Sequence, residues 1–358
     1  MQRTGGGTGR LLRARSLTVA ATGFLAGSLA LAGCGGSSGS GGSAGGAGGG
    51  GGGSAGVSLI LKTLTNPYFV SMQKDAQKEA DKDGVKLTVA AGKQDGDTAS
   101  QISAIDNAIS RGDKGILITT NGDAVNSALQ RAKKAGIYII ALDTVLNPAS
   151  TADITYATDN EQAGKLIGQY AAAKLNGQPA TIAMLDLFNN QVVSVDIARD
   201  HGFLEGMGID PVSKTQNGQE AKSGKYTGGK TAMENCLSAN GNINVVYTIN
   251  EPAADGALQA LKAAGKSNVV VVTIDGSCKY VNGLLKQGTI AADSAQYPGK
   301  MASEGVKTVA QVAKGGAKPS LPSGKDFIDS GTALVTASPL TGVQSQTPDQ
   351  AAQACWGS

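Results

Sequence analysis

The chain has 358 residues, a formal net charge of +3, one His and only 4% aromatic residues. Four arginines near its start, Arg3, Arg10, Arg13 and Arg15, carry that excess, and the remainder is slightly acidic. Such a balance excludes a polybasic nucleic-acid or membrane surface. A single His with widely spaced Cys leaves no metal site and no nucleophile–His–acid constellation.

In chain order, the basic start is followed by the apolar stretch LTVAATGFLAGSLALAG (17–33). It is too short and too rich in Gly and Ala for a membrane span, and residues 1–33 read as a secretory signal. The stretch ends in Leu31-Ala32-Gly33-Cys34, which resembles the lipobox of bacterial lipoproteins. That resemblance implies cleavage before Cys34 and acylation of the new terminus. Residues 35–56 are uncharged and consist entirely of Gly, Ala and Ser, a composition that stays a flexible coil. The expectation is a body, residues 57–358, tethered by lipid to the outer face of a membrane. Its length suits two domains.

Within the body, short apolar runs alternate with helical patterns. The predicted strands are VSLIL (57–61), KLTVA (86–90), GILIT (115–119), IYIIAL (137–142), ATIAML (180–185), NVVYTI (244–249) and NVVVVTI (268–274). Their runs are continuous rather than alternating, as in strands buried on both faces. Between them, FVSMQKDAQKEADKDG (69–84), AVNSALQRAKKAG (124–136) and AADGALQALKAAG (253–265) are amphipathic and close on Gly, a common helix C-cap. The series runs twice, with DNEQAGKLIGQYAAAKL (159–175) opening the second half. This predicts an α/β fold of two doubly wound parallel-sheet lobes.

Ligands of such sheets collect at the carboxyl ends of strands. After the first strand stand Asn66, Tyr68 and Phe69, an amide and two aromatics suited to a flat C–H face such as that of a sugar ring. Asp143 closes the fourth strand in ALDT, followed by Thr144. Arg199 lies in DIARDHGF, Asn250 in TINEP, Asp275 in TIDGS and Gln296 in DSAQYP. These planar polar groups can each bridge two neighbouring hydroxyls. Taken singly they cap helices or turns, but together at one edge they mark a binding site. The sole His201 reads as a solvated helix position.

The segments TLTNPYFVSMQKDAQKEA, GDKGILIT, AGIYIIALDT and VVVVTIDG resemble the ribose-type periplasmic sugar-binding proteins of ABC importers. The second half, with LDLFNNQVVSVDIARDHGFLEGMGIDP, VVYTINEPAADGAL and the terminal CWG, is more similar to the fructose-binding members. The resemblance implies two lobes (57–157 with 297–328, and 158–296 with 329–358) joined by three hinge strands and closing on one sugar. Asn66, Tyr68, Phe69, Asp143, Arg199, Asn250, Asp275 and Gln296 match the ligand residues of that family. Thr144 departs from it, since the family has Arg there, and the family's second-lobe aromatic has no clear counterpart. The same resemblance implies a monomeric, extracytoplasmic, lipid-anchored receptor that hands a monosaccharide to an ABC permease with its cytoplasmic ATPase. No cofactor, enzyme activity or nucleic-acid partner is implied. A receptor signalling to a membrane kinase or chemoreceptor is the alternative.

Two other stretches bear on function. GKYTGGKT (224–231) satisfies the phosphate-cradling pattern G-x-x-x-x-G-K-[ST], yet the preceding VSKTQNGQEAKS is polar and supplies no buried strand. The match is a coincidence of glycines. Beyond Cys34, Cys278 and Cys355 lie in loop-like surroundings and are expected to pair in an oxidising compartment, while Cys236 sits on the apolar side of a helix.

Overall fold

A computed structural model describes residues 55–186, 194–211 and 229–357. Residues 1–54, and hence the signal, Cys34 and the tether, lie outside it, as does most of GKYTGGKT.

The first sheet is built from β1 (Gly56–Leu61), β2 (Lys86–Ala91), β3 (Gly115–Ile118), β4 (Tyr138–Leu142), β5 (Ile154–Ala157) and β10 (Ile328–Asp329). Its order is β10-β5-β4-β3-β1-β2, and every pairing is parallel. The inner strands β1, β3 and β4 are largely apolar on both faces because both faces are covered, whereas the edge strands β2 and β10 are only partly buried. Leu59 and Leu61 of β1, with Ile140 and Leu142 of β4, pack under α1 (Pro67–Asp83) and a later helix, Pro298–Ala313. Ile60, Ile139 and Ala141 point the other way, onto α2 (Thr98–Arg111) and α3 (Asn126–Lys134). Removing each such Leu or Ile from water is worth about 1.5–3 kcal/mol.

The second sheet has β6 (Ile182–Leu185), β7 (Val245–Thr248), β8 (Val270–Asp275), β9 (Ala292–Ala295) and β11 (Ala333–Val335) in the order β11-β9-β8-β7-β6. Only β11 runs antiparallel. One face packs on α4 (Asn160–Leu175) and α5 (Ser194–Gly206). The other packs on α6 (Lys230–Ala239) and α7 (Glu251–Ala263), with Cys236 buried among them. The helix Pro298–Ala313 is α8, and the short Pro348–Ala351 is α9.

The chain passes between the two sheets three times: from β5 into α4, from β9 into α8, and from β10 into β11. The crossings are stitched to one another. Ser330 N donates to the Ala157 carbonyl at 2.8 Å, Asp159 N to Asp329 Oδ1 at 3.1 Å, and Thr332 Oγ1 to the Ala295 carbonyl at 2.9 Å. Three adjacent crossings are a connection about which two lobes can hinge.

Sequence reasoning located seven strands within a residue or two and missed β5, β10 and β11; of β9 it read only the strand end in DSAQYP ahead of Pro298. ITYA, ADSA, ID and ALV are too short or too polar to read as buried strands alone; sheet neighbours specify them. A disulfide joins Cys278 and Cys355, whose Cα atoms are 4.9 Å apart.

Candidate functional site

The strand ends meet in one cavity between the sheets, walled by Lys62, Asn66, Tyr68, Phe69, Asp95, Asp143, Val195, Arg199, Asn250, Asp275 and Gln296. It has about 30 Å³ open, little more than one water. All eight residues matched by motif are therefore brought together. Thr144 is adjacent, and its role is to hold Lys62 and Asp143.

The first sheet contributes its half through short local signals. Asn66 caps α1, its Oδ1 accepting from Tyr68 N at 2.9 Å, and Pro67 occupies the first turn, where no N–H is needed. The cap fixes the Asn66 side chain at the strand's carboxyl end, and its amide N–H groups have no partner among the described residues. Tyr68 and Phe69 follow, 3% and 4% exposed, with rings edge-to-face at 5.3 Å. They line the cavity and belong to the core of the first lobe as well.

Asp143 adopts φ +66°, a left-handed conformation uncommon for a residue other than Gly. That turn points its carboxylate back to the cavity, where Tyr68 Oη donates to Oδ1 at 3.1 Å and Thr144 Oγ1 to Oδ2 at 3.0 Å. Lys62 Nζ lies 3.3 Å from Oδ2 and donates to Thr144 Oγ1 at 2.7 Å. Burial alone would raise the Asp143 carboxyl, but Lys62 and Arg199 hold it below the usual range. A cation thus neighbours Asp143 even though Thr144 stands where the sugar-binding family carries Arg. Lys62 was missed by sequence reasoning, although a charged residue closing the apolar run VSLIL carries the same signal as Asp143 closing IYIIAL.

The second sheet contributes Arg199, Asn250, Asp275 and Gln296. Arg199 is buried, and its placement needs glycine: a Cβ on Gly164 of α4 would collide with the Arg199 carbonyl, and Gly168, Gly202 and Gly206 allow the same close approach along the two helices. Its Nε donates to Asn160 Oδ1 at 2.8 Å and its Nη1 to the Ile249 carbonyl at 2.6 Å, leaving Nη2 for the cavity. Asn250 caps α7 through Ala253 N at 3.0 Å and keeps its amide N–H groups unused among the described residues. Gln296 donates to Asp275 Oδ1 at 3.0 Å, and its own Oε1 is buried without a partner among the described residues. A buried orphan acceptor is costly unless something fills it.

Behind Asp275 lie two more carboxyls. Glu251 Oε1 accepts from Ser277 N at 2.7 Å, and Asp293 Oδ2 from Gly276 N at 3.3 Å. Burial, then mutual repulsion, pushes Glu251 well above the carboxylate range; Asp293 and Asp275 rise with it, mainly through burial. Glu251 and Asp275 therefore both lean to the protonated form at neutral pH, with Arg199 and the Glu251 N–H opposing burial at Asp275. Among the described residues no group of three His, Cys, Asp or Glu is placed to hold a metal ion, and no helix is long and apolar enough to cross a membrane.

Residues 57–317 match the family described as the periplasmic binding protein domain. The chain belongs to that family. This periplasmic binding protein is 34% identical to the ribose import binding protein of Salmonella typhimurium over 72% of its own length and 85% of the relative's. It is 30% identical to the D-apiose import binding protein of Actinobacillus succinogenes, over 70% and 79%. Among solved structures it resembles a carbohydrate transporter solute-binding protein from Agrobacterium radiobacter in complex with D-arabinose, with TM-score 0.68, 25% identity, and coverage of 81% of this chain and 96% of that one. Mixed α/β sheets on two lobes are common to these folds.

Proposed function

We propose that this periplasmic binding protein captures one monosaccharide between its lobes and delivers it to an ABC permease driven by a cytoplasmic ATPase. The observation that carries the reading is the convergence of unused polar groups from both sheets, with aromatic rings, on one cavity. The Asn66 and Asn250 amides and Arg199 Nη2 offer donors, Gln296 Oε1, the Asp143 carboxylate and the Asp275 carboxyl offer acceptors, and Tyr68 and Phe69 supply an apolar face for sugar C–H groups. Neutral polyols match such mixed donors and acceptors. Relatives that import ribose and D-apiose support the same class.

The cavity is smaller than a sugar ring, so the lobes, 57–157 with 297–328 and 158–296 with 329–358, part at the hinge to admit ligand. A ligand touching both lobes then stabilises the closed form. Fructose is the favoured cargo, on the likeness of the second half to fructose-binding members. Cys34 carries the lipid that keeps the monomer at the outer face of the membrane. Calorimetric titration of the purified protein against fructose, ribose, xylose, galactose, glucose and inositol tests the reading. One sugar binding at about micromolar affinity or tighter is the expected result, and binding of none overturns it.

A further inference from the structure

The disulfide pins the segment after α9 to the second sheet. Cys355 is bonded to Cys278, just after β8, and its neighbour Trp356 is thereby inserted between the lobes. Trp356 is 8% exposed and packs within the core of the first lobe, beside Tyr68 and Met72. Its ring meets that of Tyr68 edge-to-face, centroids 5.3 Å apart at 88°. Its indole Nε1 donates to the Asp275 carbonyl at 2.8 Å, and its own carbonyl accepts from Cys278 N at 2.8 Å. An isolated parallel bridge to Ser277 completes the attachment. One side chain thus supports Tyr68 on one wall of the cavity and the Asp275 backbone on the other, without lining the cavity itself.

We propose that Trp356 is a positioning residue for the ligand site, and that the Cys278–Cys355 disulfide is what keeps it there. This rests on the sugar-binding reading above. Tyr68 lines the cavity with its hydroxyl on Asp143 while two aromatics meet its ring edge-to-face; Phe69 lines the cavity too, so Trp356 is the one of the two that supports the ring without lining it. Asp275 closes β8 in register with Ala295, and its carbonyl accepts twice, from Gln296 N at 2.9 Å and from the indole N–H at 2.8 Å; the indole adds a second restraint on the direction in which the Asp275 side chain leaves the strand. The segment bearing Trp356 is short and has little regular structure beyond α9, so the covalent bond to Cys278 supplies the restraint.

The test uses purified protein and the sugar that binds it best. Trp356→Phe keeps a ring against Tyr68 and deletes the N–H. Affinity is expected to fall roughly three- to tenfold, the scale of one hydrogen bond, with an unchanged far-ultraviolet circular dichroism spectrum. Reduction with dithiothreitol, or Cys278→Ser together with Cys355→Ser, is expected to weaken binding by about tenfold or more, since ring and N–H are both released. The chain has one Trp, so its emission reports this contact alone, and adding sugar should change it. A role confined to stability would lower the melting temperature of the variants, leave their affinity unchanged and leave the emission of the unaltered protein unmoved by sugar; that result overturns the proposal. Weaker binding by the Phe variant with unchanged binding after reduction upholds Trp356 and removes the disulfide's part. If the unaltered protein binds no sugar, the ligand reading falls and this one with it.

Discussion

Replacing Arg199 by Met is the most informative single perturbation, because the side chain serves both the fold and the site. Three of its nitrogens divide the work: Nε to Asn160, Nη1 to the Ile249 carbonyl, and Nη2 to the cavity. Met fills similar volume without donors. Losing Nη2 removes one charge-assisted hydrogen bond to ligand, about 1.5–3 kcal/mol, or roughly ten- to hundredfold in dissociation constant. Losing the other two leaves two buried acceptors unpaired, at about 1–3 kcal/mol each. At about 2–4 °C per kcal/mol for a chain of this size, the melting temperature should fall by several degrees. Calorimetric titration reads the first effect and thermal unfolding without ligand reads the second. A folded Met variant that binds as tightly as the parent would refute the assignment of Arg199 to the site. A variant with parental melting temperature would refute the structural part given to Nε and Nη1.

Lys62→Met leaves Asp143 buried without its cation, at a cost of about 3–5 kcal/mol, and should raise the Asp143 carboxyl and weaken sugar binding; denaturant unfolding and titration check both. The Glu251, Asp275 and Asp293 trio makes stability depend on pH. Their folded-state values lie above the unfolded ones, so the stability they contribute is full below the ordinary carboxylate range and is lost as pH rises through about 6 for Asp293 and about 8 for Asp275. The melting temperature should therefore decline over that window, and Glu251→Gln, which keeps the bond from Ser277 N without a titrating proton, should flatten the decline; an equally steep profile in the variant would contradict the account. Cys34→Ser should move the protein from the membrane fraction to the medium, and continued retention would count against a lipid anchor.

Much of this molecule is legible residue by residue. Apolar runs such as IYIIAL and NVVVVTI declare strands covered on both faces, and Gly84, Gly136 and Gly265, all at positive φ, end helices where the pattern placed them. Asn66 and Asn250 were readable as strand-end amides, and each commits its oxygen to a helix cap while its N–H groups stay available. Lys62 was legible by the same rule and overlooked, because a lysine beside a strand is usually a solvated end. Asp95, in the loop after β2, carried no local signal at all; only the packing of that loop brings it to the wall.

Burial periodicity and capping are local properties of the chain, and they suffice to specify the alternation of strand and helix. Two wound sheets, with their carboxyl-end residues as candidates, follow from that alternation alone. Which of those residues meet is a matter of packing. The pairing of Lys62 with Asp143 spans 81 positions, and so does the bond from Trp356 to Asp275. Contacts of that range depend on how two sheets are stitched across three crossings, and no short stretch of residues contains the free energy that selects them.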